Sequence, residues 1–251
     1  MNASLVALYG TTPKPPELEK LTSNIQDVLE GEKGLGFIRY KPNQVHATVA
    51  GLEGLRVGEQ IVSTNVAELR RRVKLLDLED VVRRLRSSRH LPLKVRLGGF
   101  ELASNYSFVS RGLHPQIRSF SIHGRIVVAM GWPVAGATYP PSLDLLRREL
   151  ACGGALHKYH GSEGEVDNDF FFVLGQIERR ERDHAAISKF QDKIRKYLSE
   201  SKPVDLDLGL DALSFVAYEE TTLAPDRACQ FSLDDIATDP QRLVQLYEAA
   251  V

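Results

Sequence analysis

The chain reads as an α+β protein with two pseudo-symmetric lobes of mainly antiparallel sheet with outer helices, flanking a central cleft. Three observations lead there. Short β-rich runs are interleaved with segments whose apolar residues recur at helical spacing. Several successive strand candidates are separated only by turns, as antiparallel neighbours are. Each half also holds a strand with an apolar run ending in glycine, a helix after it and a further strand, a coarse duplication rather than a fixed-period repeat. No low-complexity tract or long linker divides the chain, so residues 1–251 are expected to form a single domain of two lobes.

Residues 4–9, SLVALY, are β-rich and end at Gly10; the Pro-rich TTPKPP then leads into a helix beginning near Pro16 or Glu17. Leu18, Leu21, Ile25 and Val28 fall on one face of that helix. Strands are expected at 35–40 and 44–52, separated by Lys41-Pro42-Asn43. Helical patterning covers 62–87, with a break at Lys74 to Asp77. Arg70, Arg71, Arg72, Arg83, Arg84, Arg86 and Arg89 crowd this region, but Glu68, Asp77, Glu79 and Asp80 are interspersed, which favours a solvated helix face over a phosphate-attracting surface. PLKVRLGGFEL, NYSFVSR, IRSFSIHG and RIVVAMGW then read as an antiparallel meander broken at Gly112, Pro115 and Gly124. A helix at 142–151 is expected to start on Ser142 as N-cap and to stop at Gly153-Gly154. A strand at 169–177, a helix at 184–199 and a strand at 212–219 complete the chain.

Composition narrows the function classes. With 32 Lys and Arg against 33 Asp and Glu, no overall basic field attracts long duplex nucleic acid, while a small or terminal phosphate remains a suitable partner. Cys152 and Cys229 are far apart and form no C-x-x-C pair, so sulfur-based metal or redox chemistry is not expected. The N-terminus MNASLVALYG lacks a basic n-region, and no apolar stretch is long enough to span a bilayer; a cytoplasmic protein without membrane partners is expected. Oligomeric state is not legible.

In Val45-His46-Ala47-Thr48-Val49, strand alternation puts Val45, Ala47 and Val49 on one face and His46 and Thr48 on the other. The apolar face can pack against a helix. That leaves an imidazole and a hydroxyl side by side, where Thr48 can hydrogen-bond a phosphate while His46 moves a proton. A lone His-x-Thr triplet is weak evidence, and a satisfied half-buried histidine is the bland alternative.

Context adds to it. VHATVAGLEG after a strand, helix, strand opening, the later LPLKVRLGGFE and the closing LSFVAYEETTL resemble the two-histidine (2H) phosphoesterases, which include RNA 2′,3′-cyclic phosphodiesterases and 2′-5′ RNA ligase-like proteins. The resemblance implies two His-x-Thr/Ser motifs facing each other across a cleft, one histidine acting as base and the other as acid. It also implies hydroxyls that hold the phosphate, and neither metal nor cofactor. His46 and Thr48 match the first motif as catalytic residues. The ligand implied is a nucleotide or RNA terminus bearing a phosphate.

The second motif should lie in Asp169-Phe170-Phe171-Phe172-Val173-Leu174-Gly175, where Phe170 and Phe172 stand in place of the histidine and hydroxyl. A one-residue shift puts Asp169 and Phe171 there instead. Either register leaves the motif degenerate, since phenylalanine can neither transfer a proton nor hydrogen-bond a phosphate. His157 and His160, on the Gly-rich LHKYHGSEGEVDND, are the candidate replacements; Asp169 is a poorer one because it would need a raised pKa. Phe170 and Phe172 could stack a base as substrate-binding residues, or serve only as core. The His157/His160 pair, i and i+3, has no third ligand at fixed spacing, so no metal site is expected. His90, His114, His123 and His184 lie near turns or element ends, where exposed or capping roles are expected. The function expected is a divergent metal-independent phosphodiesterase for a 2′,3′-cyclic phosphate or 2′-5′ linkage; the alternative is a catalytically inactive relative that binds a nucleotide or RNA end.

Overall fold

The structure is a computed structural model that describes residues 1–32, 34–178 and 184–248, with backbone alone at 184–186. The first unit runs β1 (Asn2–Ala7), α1 (Pro16–Gly31), β2 (Phe37–Arg39) and β3 (His46–Gly51). A hairpin of β4 (Gly54–Val57) and β5 (Gln60–Ser63) then precedes α2 (Thr64–Arg70) and α3 (Leu78–Ser87). The middle holds β6 (Leu93–Leu97), α4 (Pro115–Arg118), β7 (Phe120–His123), β8 (Ile126–Pro133) and α5 (Ser142–Ala151). The remainder is β9 (Phe170–Ile177), α6 (His184–Glu200), β10 (Val204–Leu208), β11 (Leu213–Tyr218), β12 (Ala228–Phe231), α7 (Leu233–Thr238) and α8 (Gln241–Val244).

One large sheet carries the fold, in the order β10-β6-β8-β9-β3-β1-β11-β12, with β2 on β9 and β7 on β8. Every pairing in it is antiparallel, as expected for an α+β chain. Along that path four strands lie on either side of the β9–β3 junction, and β2 and β7 add two more to the β9 side.

Alternation assigns the two faces. Leu5 and Ala7 of β1, Ala47 and Val49 of β3, Val127 and Ala129 of β8, Phe170, Phe172 and Leu174 of β9 and Phe215 of β11 join one core. The helices supply the other wall of that core: Leu18, Ile25 and Leu29 from α1, Val81 and Leu85 from α3, Leu143, Leu146 and Leu150 from α5, Ile194 and Leu198 from α6. Amphipathic spacing therefore brings these helices to a single side of the sheet. The opposite face keeps two smaller apolar clusters, Val6, Tyr9, Val216, Tyr218 and Leu223 at one flank and Phe100, Val128, Met130 and Trp132 at the other. Between them lies the cleft.

Three local expectations change. Residues 54–63 form the β4–β5 hairpin, which turns at Gly58 and which the helical patterning to its C-terminal side does not announce. NYSFVSR is not a strand: Ser110 and Leu113 pair around Arg111 and Gly112, both at positive φ, as in a two-residue hairpin turn. Ser142 is the first helical residue of α5 rather than its cap; Asn168 caps it instead, its Oδ1 accepting from the backbone N–H of Leu143 at 3.2 Å and Asp144 at 3.3 Å.

Candidate functional site

The cleft on the uncovered face begins at β3. His46 and Thr48 both line it, as their alternation requires. The His46 ring is 2% exposed and its Nδ1 lies 2.7 Å from the Gln44 carbonyl, which can only accept, so Nδ1 carries the proton. Nε2 is left with a lone pair and no hydrogen-bond partner among the described residues. Tyr9 stands edge-on to the ring at 5.7 Å and dries it. Burial pushes the His46 pKa down to about 4, the Gln44 carbonyl opposing and the Lys14 charge reinforcing the shift.

His157 lines the same cleft; His160 does not. The His157 ring is buried, and its Nδ1 donates to Asp167 Oδ2 at 2.6 Å. Its Nε2 is again a lone pair without a partner among the described residues. Burial first, then the nearby Arg147 and Lys158 charges, lower its pKa to about 4 against the support of Asp167. Asp167 itself is held well below the usual carboxylate range by Arg147 and His157, which outweigh its burial. His160 is buried outside the cleft wall, and neither ring nitrogen has a hydrogen-bond partner among the described residues.

The aromatic strand is phased differently from the first of the two registers considered in sequence. Phe170 and Phe172, which could stack a base or serve only as core, are fully buried in the helix-side core and meet edge-to-face at 5.3 Å. The cleft takes Phe171 and Val173 instead. Their phase is set by pairing, since Val173 sits opposite His46 and Phe172 opposite Ala47. Asp169 shares that phase but is no acid at the cleft wall. Its carboxylate accepts from Ser110 Oγ at 2.7 Å, Trp132 Nε1 at 2.7 Å and Arg118 Nη2 at 3.1 Å, an anion saturated with donors. From the side, the His157 ring lies 6.2 Å from the Phe171 ring.

Arg147 of α5 explains how β3 and β9 are held at this point. Their ladder ends after Ala47 and Phe172. Beyond it the buried guanidinium fills the gap, donating to the Val49 and Thr48 carbonyls at 2.8 and 3.0 Å and to the Asp167 and Asp169 carbonyls at 2.9 and 3.1 Å. Its Nη1 is also 3.0 Å from Asp167 Oδ1, a charge contact. The planar fork thus bonds four backbone carbonyls across the split.

Arg111, Arg118, Ser121, His123, Lys158 and Tyr159 complete one end of the cleft, and Ser4, Glu53 and Tyr218 the other. Sequence reasoning misses most of these. Arg111 and Arg118 lie in a segment that reads as strands, and only the Arg111-Gly112 turn signal marks it. His123, expected at an element end, is exposed at the end of β7. His114 does cap, its Nδ1 accepting from Gln116 N–H at 3.2 Å, and His90 lies 3.5 Å from Glu149; the side chain of His184 lies outside the described residues. None of the seven arginines between 70 and 89 lines the cleft. Arg84 pairs with Asp80 at 2.5 Å, Arg86 with Asp234, and Arg70 donates to the Gly161 carbonyl at 2.7 Å, tying down the loop after His157. Among the described residues no helix is long and apolar enough to cross a membrane.

No family model matches the chain, and no curated protein does. A solved structure that resembles it, the crystal structure of TT0787 of Thermus thermophilus, superposes with a TM-score of 0.41 at 14% identity, covering 92% of this chain and 94% of that one.

Proposed function

We propose that the protein is a divergent, metal-independent phosphodiesterase of the 2H type, acting on a 2′,3′-cyclic phosphate or a 2′-5′ linked nucleotide or RNA end. One observation carries the reading: His46 and His157 line a single cleft, each with Nδ1 committed to a fixed acceptor and Nε2 unpaired. Thr48, whose hydroxyl has no partner among the described residues, stands beside His46 for the phosphate.

The two imidazoles differ in what backs them, and that difference assigns their roles. Asp167 stabilises an imidazolium at His157, so His157 is the acid. His46 has only a carbonyl behind it and a cation nearby, so it stays neutral and acts as base. Water gives a proton to His46 Nε2 and its oxygen bonds to phosphorus. The bond from phosphorus to the leaving ribose oxygen breaks, and that oxygen takes the proton from His157 Nε2. Both rings are neutral in the empty cleft, so the anionic phosphate itself is what favours the proton on His157.

The test is turnover of 2′,3′-cyclic nucleotides and short RNAs ending in cyclic phosphate by the wild type, His46→Ala and His157→Ala. Hydrolysis that falls about 100-fold or more in each variant is expected. Binding without turnover in the wild type makes the protein a silent nucleotide binder, and absence of both removes the phosphate site altogether.

A further inference from the structure

The end of the cleft away from His46 carries more positive charge than the chemistry above uses. The Tyr159 ring is its centre. Lys158 Nζ lies 5.3 Å and Arg111 Cζ 5.6 Å from the ring centroid, and the His123 ring is 6.3 Å away. Arg111 also donates to the Tyr159 carbonyl at 3.3 Å, which holds its guanidinium over the loop. Among the described residues one carboxylate pairs with them, Asp169, which is 3.1 Å from Arg118 and 3.7 Å from Arg111. Lys158 has no acidic partner among the described residues. Two arginines and a lysine therefore face one buried acid, and the surplus is open to solvent.

The cluster extends away from His46. His123, on β7, is three strand spacings from β3 across β9 and β8, or about 14 Å between backbones. Tyr159 links it to the chemistry, its ring 5.4 Å from that of His157. A ligand that reaches from His46 to His123 spans more than one phosphate does.

We propose that Arg111, Lys158 and His123, gathered around Tyr159, form a second anion site that takes another phosphate of the same substrate. The proposal rests on the phosphate reading of the cleft and extends it. The preferred ligand is then an oligonucleotide end or a nucleotide with a remote phosphate, and an isolated cyclic mononucleotide is a poor one.

Adenosine 3′-phosphate and adenosine 3′,5′-bisphosphate are probes that differ only in the second phosphate. Their affinities, measured by calorimetry at low and moderate salt, are compared for the wild type and for the exposed-residue variant Arg111→Gln/Lys158→Gln. The bisphosphate is expected to bind the wild type about tenfold tighter or more, as charge-assisted hydrogen bonds to one phosphate give. The variant is expected to lose that advantage, read as the ratio of the two affinities in the same protein. Equal affinity of the wild type for both probes overturns the second site and leaves the His46 site standing, and so does an advantage that survives in the variant. Binding of neither probe overturns the phosphate reading of the cleft, and the second site falls with it.

Discussion

His157 donates its Nδ1–H to Asp167 at 2.6 Å, with both side chains 2% exposed. Because Asp167 is ionised and also contacts Arg147, it can only accept, which fixes the imidazole in the tautomer whose Nε2 faces the cleft. Asp167→Asn keeps the shape and offers an amide in place of the carboxylate, so it releases the tautomer and removes the support for an imidazolium. A fall in kcat of about 10²- to 10⁴-fold with KM changed little is expected. The pH profile of kcat separates this from a packing defect, since its limb for the protonated acid should move to lower pH. An Asp167→Asn enzyme with wild-type kcat would remove His157 from the acid role.

Two buried neutral histidines make stability depend on pH. In the unfolded chain each takes up its proton near 6.5, and in the folded protein at about 4. Between these values the unfolded chain binds more protons, so stability falls as pH drops from about 7 towards 4. Each ring contributes up to about 3 kcal/mol of that loss. Urea unfolding at about pH 7.5 and about pH 4.5, either side of most of this window, measures it, and His46→Gln is expected to remove about half of the dependence. A midpoint that does not move over this range contradicts the burial of both rings.

Phe171 and Phe172 are neighbours with opposite duties. Phe172→Ala opens a hole in a fully buried core and is expected to cost about 3–5 kcal/mol. Phe171→Ala empties the cleft wall beside His157 and Tyr159, so it should cost clearly less stability and weaken ligand binding instead. Chemical denaturation with calorimetry on the same two proteins tests the strand phase directly. The reverse pattern would mean that the strand is phased the other way.

How far the sequence carries the site follows from which forces are local. Alternation about His46 places it and Thr48 on a shared face, because neighbouring side chains on a strand must point to opposite sides. It cannot phase Phe170 to Val173, where four apolar residues in a row fit either side and only pairing with β3 decides. His157 stands out in sequence as a candidate from its place before that strand, but its Asp167 partner comes from ten residues downstream through a loop closure that no periodicity encodes. The rim cations Arg111 and Arg118 are hidden for the same reason. Their positions depend on Asp169, which reaches them from 51 and more residues away.

Arg147 is the side chain on which the junction of the two half-sheets depends. It is 1% exposed and bonds backbone on both β3 and the segment leading into β9. Arg147→Met matches much of its length but leaves four carbonyls without this donor and the buried Asp167 carboxylate without its counter-charge. Removing one partner of a buried charge pair costs about 3–5 kcal/mol, so loss of that order is expected in urea. Arg147→Lys keeps the charge but supplies a point donor where a planar fork is needed, and it should recover only part of the loss. Hydrogen exchange locates the damage: protection should fall first at the backbone amides of β3 and β9, next to the split, while the β10–β6 edge stays protected. Uniform loss across the sheet would instead make Arg147 a general core residue with no special hold on the cleft.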